Sequence, residues 1–118
     1  MDSDSVSTII YRHRSPAFGK IMKSLMVRSD NLFAEGMLRV LAPGKSRRQA
    51  IQRMKKLWDD RGISTKCTTI TDGSGLARNN RLSPRFIASV LEWMSKSPMA
   101  EEYASYFPRA GKDGTLKG

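Results

Sequence analysis

The stretch Val27-Arg28-Ser29-Asp30-Asn31-Leu32-Phe33-Ala34-Glu35-Gly36-Met37 decides how this chain is read. Ser29, Asp30 and Asn31 are each good helix N-caps, because a short polar side chain accepts a hydrogen bond from an amide that the first helical turn leaves unpaired. The same tripeptide also sets a hydroxyl and a carboxamide one residue apart, which is the spacing of a catalytic pair. The cap reading predicts a break between two helices at this point. The site reading adds that the break faces a cleft.

Helical patterning surrounds the tripeptide on both sides. Upstream, Ser15 suits an N-cap and Pro16 a first helical position, while Phe18, Ile21, Met22, Leu25 and Met26 share one helical face. Downstream, Phe33, Met37, Val40 and Leu41 form the apolar face of a second helix, which Pro43 and Gly44 stop. A third helix opens at Ser46 and ends at Gly62. It turns Ala50, Ile51, Met54, Leu57 and Trp58 inward and Arg47, Arg48, Arg53, Lys55 and Lys56 largely outward. Ser83 and Pro84 announce a fourth helix, with Phe86, Ile87, Val90, Leu91 and Met94 as its buried stripe. A shorter fifth helix begins at Ser97-Pro98 and stops near Pro108.

Two segments carry strand chemistry. "STIIYRH" (7–13) and "ISTKCTTIT" (63–71) are rich in β-branched residues and short enough for strands. "DGSG" (72–75) must turn, with Asp72 and Ser74 bonding locally, and "ARNNR" (77–81) reads as a polar loop in which Arg78 and Arg81 are solvated or reach an anionic substrate. The expectation is a mainly α chain with one or two short strands. It forms a single partial domain over 1–118, with flexible ends at about 1–8 and 109–118.

Composition narrows the function classes. A length of 118 residues with 39% hydrophobic content supports one modest core. The formal net charge of +10 would draw nucleic acid, anionic lipid or an anionic polymer such as a cell wall. Cys67 is the only cysteine, which excludes an internal disulfide and a cysteine-based zinc cluster, and the only histidine, His13, has no neighbours at ligand spacing. No apolar run is long enough to span a bilayer, and "MDSDSVSTII" lacks the pattern of a signal peptide. The chain is therefore either cytoplasmic or without its original N-terminus.

The run "SPAFGKIMKSLMVRSDNLFAEGMLRVL" followed by "DGSGLARNNRLSPRFIASVLEWM" resembles the class C penicillin-binding proteins, the D-alanyl-D-alanine carboxypeptidase/endopeptidase family. In that family a helix leads into Ser-x-Asn, a helix beginning Asn-Leu-aromatic-Ala-Glu follows, and an Asp-Gly-Ser-Gly-Leu block lies downstream. The resemblance covers about Ile10 to Gly118. It implies the helical part of an α/β penicillin-recognising fold, with Ser29 relaying a proton and Asn31 holding the substrate carbonyl. It implies peptidoglycan stem peptides and β-lactams as partners of the parent protein, a periplasmic or other extracytoplasmic location, and neither metal nor organic cofactor.

The departures from that family are equally informative. No serine is followed three residues later by lysine, so the Ser-x-x-Lys nucleophile is absent, as is Lys-Thr-Gly. Lys112-Asp113-Gly114-Thr115 imitates the latter, but "RAGKDGTLKG" resembles the segment that precedes the true motif in the family. The expected identity is an internal fragment of a serine-type D-Ala-D-Ala carboxypeptidase/endopeptidase, inactive by itself. The rival is a small basic helical nucleic-acid-binding module. Against it, no helix shows a base-contact pattern of Asn, Gln and Arg, and the turns impose no helix-turn-helix geometry. A third expectation, compatible with the first, is a packing unit whose apolar stripes await a sheet.

Overall fold

Side-chain caps set the starts of three helices, at Asp30, Ser46 and Ser83. The computed structural model describes residues 8–117, and the expected flexible leader before Thr8 lies outside them. It contains α1 (Phe18–Arg28), α2 (Asn31–Val40), α3 (Arg47–Asp59), α4 (Pro84–Ser95) and α5 (Ala100–Tyr106), followed by one 3-10 turn at Gly114–Leu116. Ser46 and Gln49 form a reciprocal capping box at the head of α3, the Gln49 amide donating to Ser46 Oγ at 3.3 Å and the Ser46 amide to Gln49 Oε1 at 3.0 Å. At α4, Ser83 Oγ accepts from the Phe86 amide at 3.1 Å and Pro84 takes the first helical position. Each such cap contributes about 1 kcal/mol.

Two helices start later than the sequence predicts. α1 begins at Phe18 with Ala17 as its uncapped N-cap, and Ser15 and Pro16 precede it as exposed residues. A turn beginning at Ser15 would have no apolar face to bury, since the chain before it is open: Ile10 is 96% exposed and Tyr11 80%. α5 likewise starts at Ala100, after Ser97 Oγ has bonded back to the Met94 carbonyl at 2.8 Å and closed the preceding helix.

The strand expectations need correction. Among the described residues, 8–13 are exposed and form no ladder, and 63–71 yields one antiparallel bridge, Thr69 to Arg81, with its two hydrogen bonds at 2.8 and 2.7 Å. The threonines serve other ends. Thr65 is buried and gives both its amide and its hydroxyl to the Asp59 carboxylate at the end of α3, at 2.8 and 2.9 Å. Thr68, also buried, donates its hydroxyl to the Thr65 carbonyl at 2.7 Å, while Lys55 Nζ reaches the Thr68 carbonyl at 3.1 Å. These polar ties stitch the segment to α3 and satisfy groups that a ladder would otherwise pair.

The helices pack α1 on α5 and α2, α2 on α3, and α4 on α5. Among the described residues, Leu38, Ala50, Ile63, Phe86 and Tyr106 are the buried apolar ones, a small core. Gly19 permits the approach of α1 to α5, because a Cβ there would lie 2.6 Å from Glu102 Oε1 and 3.3 Å from the Tyr106 hydroxyl. Trp58 and Trp93 meet edge to face at 5.9 Å between centroids, and the Arg61 guanidinium lies 5.1 Å over the Trp93 ring. The remaining apolar stripes line an open groove of about 920 Å³ between α1, α2 and α4, walled by residues such as Met22, Met26, Met37 and Leu91. Among the described residues, no helix is long and apolar enough to cross a membrane.

Candidate functional site at the Ser29–Asn31 break

The tripeptide divides its labour. Ser29 ends α1 in the left-handed conformation, with φ 54° and ψ 48°, and is the only non-glycine residue with positive φ among the described residues. The Asp30 amide then returns to the Leu25 carbonyl at 3.1 Å, closing a Schellman-type turn with serine where glycine is usual. Asp30 is the N-cap of α2, its Oδ1 accepting from the Phe33 amide at 3.0 Å. Asn31 is the first helical residue. Helix geometry thus leaves Ser29 and Asn31 on either side of the cap, both exposed and neither bonded through its side chain among the described residues.

A loop lies against the same helix. Asn31, Glu35 and Leu38 share a face of α2 by their spacing. Glu35 Oε1 accepts from the amides of Gly73 and Ser74 at 2.9 and 3.2 Å. Gly73 presses onto the helix so closely that a Cβ would sit 2.8 Å from the Ala34 carbonyl oxygen and 2.9 Å from Leu38 Cβ. The other Glu35 oxygen, Oε2, is sealed from solvent without a hydrogen bond, and Arg47 Nε stands 3.4 Å from it as an ion pair. The attraction there is that of charge at close range, without hydrogen-bond geometry.

Within the loop, Asp72 is the organising group. Its carboxylate accepts from the Gly75 and Ala77 amides at 2.9 and 2.8 Å, from the Ser74 hydroxyl at 3.1 Å and from Asn80 Nδ2 at 2.6 Å. The Asn80 bond above all, then the Ala77 and Gly75 amides, holds the Asp72 carboxyl below the usual carboxylate range, against an opposing desolvation effect. Asp72 and Ser74 therefore bond locally, as expected. Arg78 and Arg81 are exposed and make no ion pair among the described residues. Glu35 and Asn80 are the residues that sequence reasoning passed over. Glu35 stood inside the Asn-Leu-aromatic-Ala-Glu block without an assigned role, and Asn80 was one of two adjacent asparagines in a polar run.

Two cavities lie away from the break. Ser29 and Asn31 line neither the apolar groove nor a second cleft of about 540 Å³ between α3 and residues 68–71, whose walls include Arg47, Arg48 and Lys55. Cys67 is free and exposed, and the described residues contain no group of three or more His, Cys, Asp or Glu able to hold a metal ion. The imitation of Lys-Thr-Gly is built into the fold. Asp113 pairs with Arg109 at 3.4 Å, and Gly114, at φ 69°, packs where a Cβ would meet Pro108 Cβ at 2.9 Å and the Val27 carbonyl oxygen at 3.1 Å. Chemically, the break offers an exposed hydroxyl and an exposed amide on a rigid support, with no activated nucleophile at hand.

The chain is similar to known proteins in sequence and in fold. Residues 2–118 match the family model described as the D-Ala-D-Ala carboxypeptidase 3 (S13) family. The chain is 31% identical over 115 residues to the D-alanyl-D-alanine carboxypeptidase DacB of Haemophilus influenzae, covering 93% of this chain and 24% of the relative. It is 30% identical over 109 residues to the penicillin-sensitive carboxypeptidase A of Dictyostelium discoideum, covering 86% and 21%. The crystal structure of penicillin binding protein 4 from Haemophilus influenzae superposes with a TM-score of 0.77 at 32% identity, over 84% of this chain and 23% of that one. The same protein complexed with a novel β-lactam gives 0.75 at 31% identity, over 84% and 24%. This chain thus spans under a quarter of the length of these relatives. With both sequence blocks and the helical architecture in agreement, the chain belongs to the D-Ala-D-Ala carboxypeptidase 3 (S13) family.

Proposed function

We propose that residues 1–118 are one partial domain of a serine-type D-Ala-D-Ala carboxypeptidase/endopeptidase, the part that carries its Ser-x-Asn element. The substrate is the D-Ala-D-Ala end of peptidoglycan stem peptides, the inhibitor class is the β-lactams, and the working location of the parent protein is extracytoplasmic. A nucleophilic serine from outside this segment attacks the carbonyl of the penultimate residue, and the C–N bond to the terminal D-alanine breaks. Ser29 passes a proton to the departing amine, and Asn31 donates a hydrogen bond to the carbonyl on the acyl side. The single observation that carries the reading is the exposure of both side chains at the capped break between α1 and α2.

Rigid presentation is what such a pair needs, since small misplacements of orienting groups cost rate steeply. The Schellman-type turn at Ser29 and the Asp30 cap supply that rigidity without using either functional side chain. The pairing of Asp113 with Arg109 and the packing of Gly114 support a structural role for the Lys-Thr-Gly imitation. Intact-mass spectrometry after incubation with a penicillin tests the proposal. This chain should carry no adduct, whereas a longer protein joining it to a Ser-x-x-Lys and a Lys-Thr-Gly should be acylated stoichiometrically. An adduct on Ser29 of the present chain would overturn the assignment.

A further inference from the structure

We propose that Glu35 is a positioning residue, which locks the Asp72–Asn80 loop onto the Ser-x-Asn helix so that loop and Asn31 move as one body. The inference rests on the proposed function and extends it to a residue that touches no substrate. Three observations converge. Glu35 follows Asn31 by one helical turn on the same face of α2. Its Oε1 accepts from two successive loop amides, those of Gly73 and Ser74, at 2.9 and 3.2 Å. The loop it holds is in van der Waals contact with the helix backbone at Ala34, an approach only glycine at position 73 allows.

The carboxylate is engaged from two sides: Oε1 takes the loop amides, and Oε2, sealed from solvent, lies 3.4 Å from Arg47 Nε. Residues 35 and 73 are 38 apart in sequence, so the contact ties the Ser-x-Asn block to the Asp-Gly-Ser-Gly block across the whole of α3. The loop in turn is closed on itself around Asp72, so that fixing Gly73 and Ser74 fixes the segment through Asn80. A carboxylate at position 35 therefore sets where the loop wall stands relative to Asn31.

Two measurements test this, one of them independent of activity. In the present chain, Glu35→Ala and Glu35→Asp should raise hydrogen exchange at Gly73 and Ser74 by about tenfold or more, the aspartate because it withdraws the acceptor by one methylene. Glu35→Gln, which keeps an acceptor oxygen at the same reach, should hold exchange within about threefold of the parent. In the longer protein with both missing motifs, the first two changes should slow β-lactam acylation by about tenfold or more while the melting temperature stays within a few degrees, and Glu35→Gln should restore most of the rate. Unchanged exchange in Glu35→Ala and Glu35→Asp overturns the coupling. Raised exchange with unchanged acylation overturns the positioning role, as does a glutamine variant as slow as the alanine one. Should Glu35→Ala fail to fold, the contrast between aspartate and glutamine decides alone. If the unmodified longer protein resists acylation, the proposed function falls, and the exchange measurement still reads the coupling by itself.

Discussion

Asn80 Nδ2 donates a 2.6 Å hydrogen bond to the Asp72 carboxylate, while Asn80 Oδ1 accepts from the amide and hydroxyl of Thr71 at 2.8 and 3.0 Å. One side chain thus joins the start of the loop to its end. With the Gly75 and Ala77 amides also on Asp72, the internal closure of the loop centres on one carboxylate, while Glu35 ties the loop to α2.

That arrangement makes the loop acid-sensitive. The Asp72 carboxyl is held below its unfolded value, so its contribution is fully present above the ordinary carboxylate range and is lost as pH falls through the lowered folded value. Below roughly pH 4, amide shifts of Gly75 and Ala77 should move towards those of an open loop. Asp72→Asn should remove that local transition, because the group no longer titrates. The acid dependence contributed by Asp59, which Thr65 lowers through its amide and hydroxyl, should remain. Resolved by NMR titration, an Asp72→Asn chain with an unaltered transition at Gly75 would contradict the assignment.

Two glycines, one in the loop and one inside α2, should respond in opposite ways to alanine. At Gly73 a Cβ would lie 2.8 Å from the Ala34 carbonyl oxygen, a backbone atom that cannot step aside. Gly73→Ala should cost about 1–3 kcal/mol by overpacking. Gly36 sits inside α2 with nothing within 4 Å of a built Cβ. Gly36→Ala should stabilise by about 0.5–1 kcal/mol, since glycine is the poorer helix former. Urea unfolding of the two variants beside the parent measures both signs.

Local chemistry was legible in the sequence and tertiary chemistry was not. The start at Ser46, Ser83 with Pro84, and the Ser29–Asn31 break all act within three residues of themselves, and each stands where its pattern places it. The helical period also read correctly, because 3.6 is a strong signal, but the burial of the stripes did not: Phe18, Phe33, Val40, Ile87 and Leu91 are exposed, and in the expected α4 stripe Phe86 alone is buried. "ISTKCTTIT" misled because β-branched residues favour any tight extended packing, and Thr65 and Thr68 spend their polar groups on each other and on Asp59. Ser15-Pro16 misled because a helix start also needs an apolar face to bury, and none precedes Phe18. Glu35 gave no signal of its partners, since Gly73 and Ser74 meet it only after α3 has folded back.

Ser29 carries a conformational cost that separates stability from function. A non-glycine residue in the left-handed region is strained by about 1 kcal/mol, and glycine is the usual occupant of this position in a helix-closing turn. Ser29→Gly should therefore leave the unfolding free energy of the chain unchanged or raise it by up to about 1 kcal/mol, the gain being reduced by the added freedom of the unfolded chain. In the longer protein the same change should slow acylation by about a hundredfold or more, the effect the proposed proton relay requires. A stable glycine variant with full acylation would assign Ser29 to turn geometry alone.

Asn31 offers the complementary test. Its side chain is exposed and unbonded at the first position of α2, and the cap of that helix belongs to Asp30, whose Oδ1 holds the Phe33 amide at 3.0 Å. Asn31→Ala should then shift the stability of the chain by no more than about 0.5 kcal/mol, as for a surface change that leaves a cap intact. Asp30→Ala, by contrast, should cost about 1 kcal/mol by removing the cap. In the longer protein, Asn31→Ala should slow acylation by about tenfold to a hundredfold, because an amide that orients the carbonyl acts on the approach geometry rather than on the core. Paired thermal unfolding and single-turnover acylation measure the two quantities on one preparation. Acylation unaffected by Asn31→Ala would remove the orienting role. Loss of acylation only in step with loss of stability would make Asn31 a structural residue of α2.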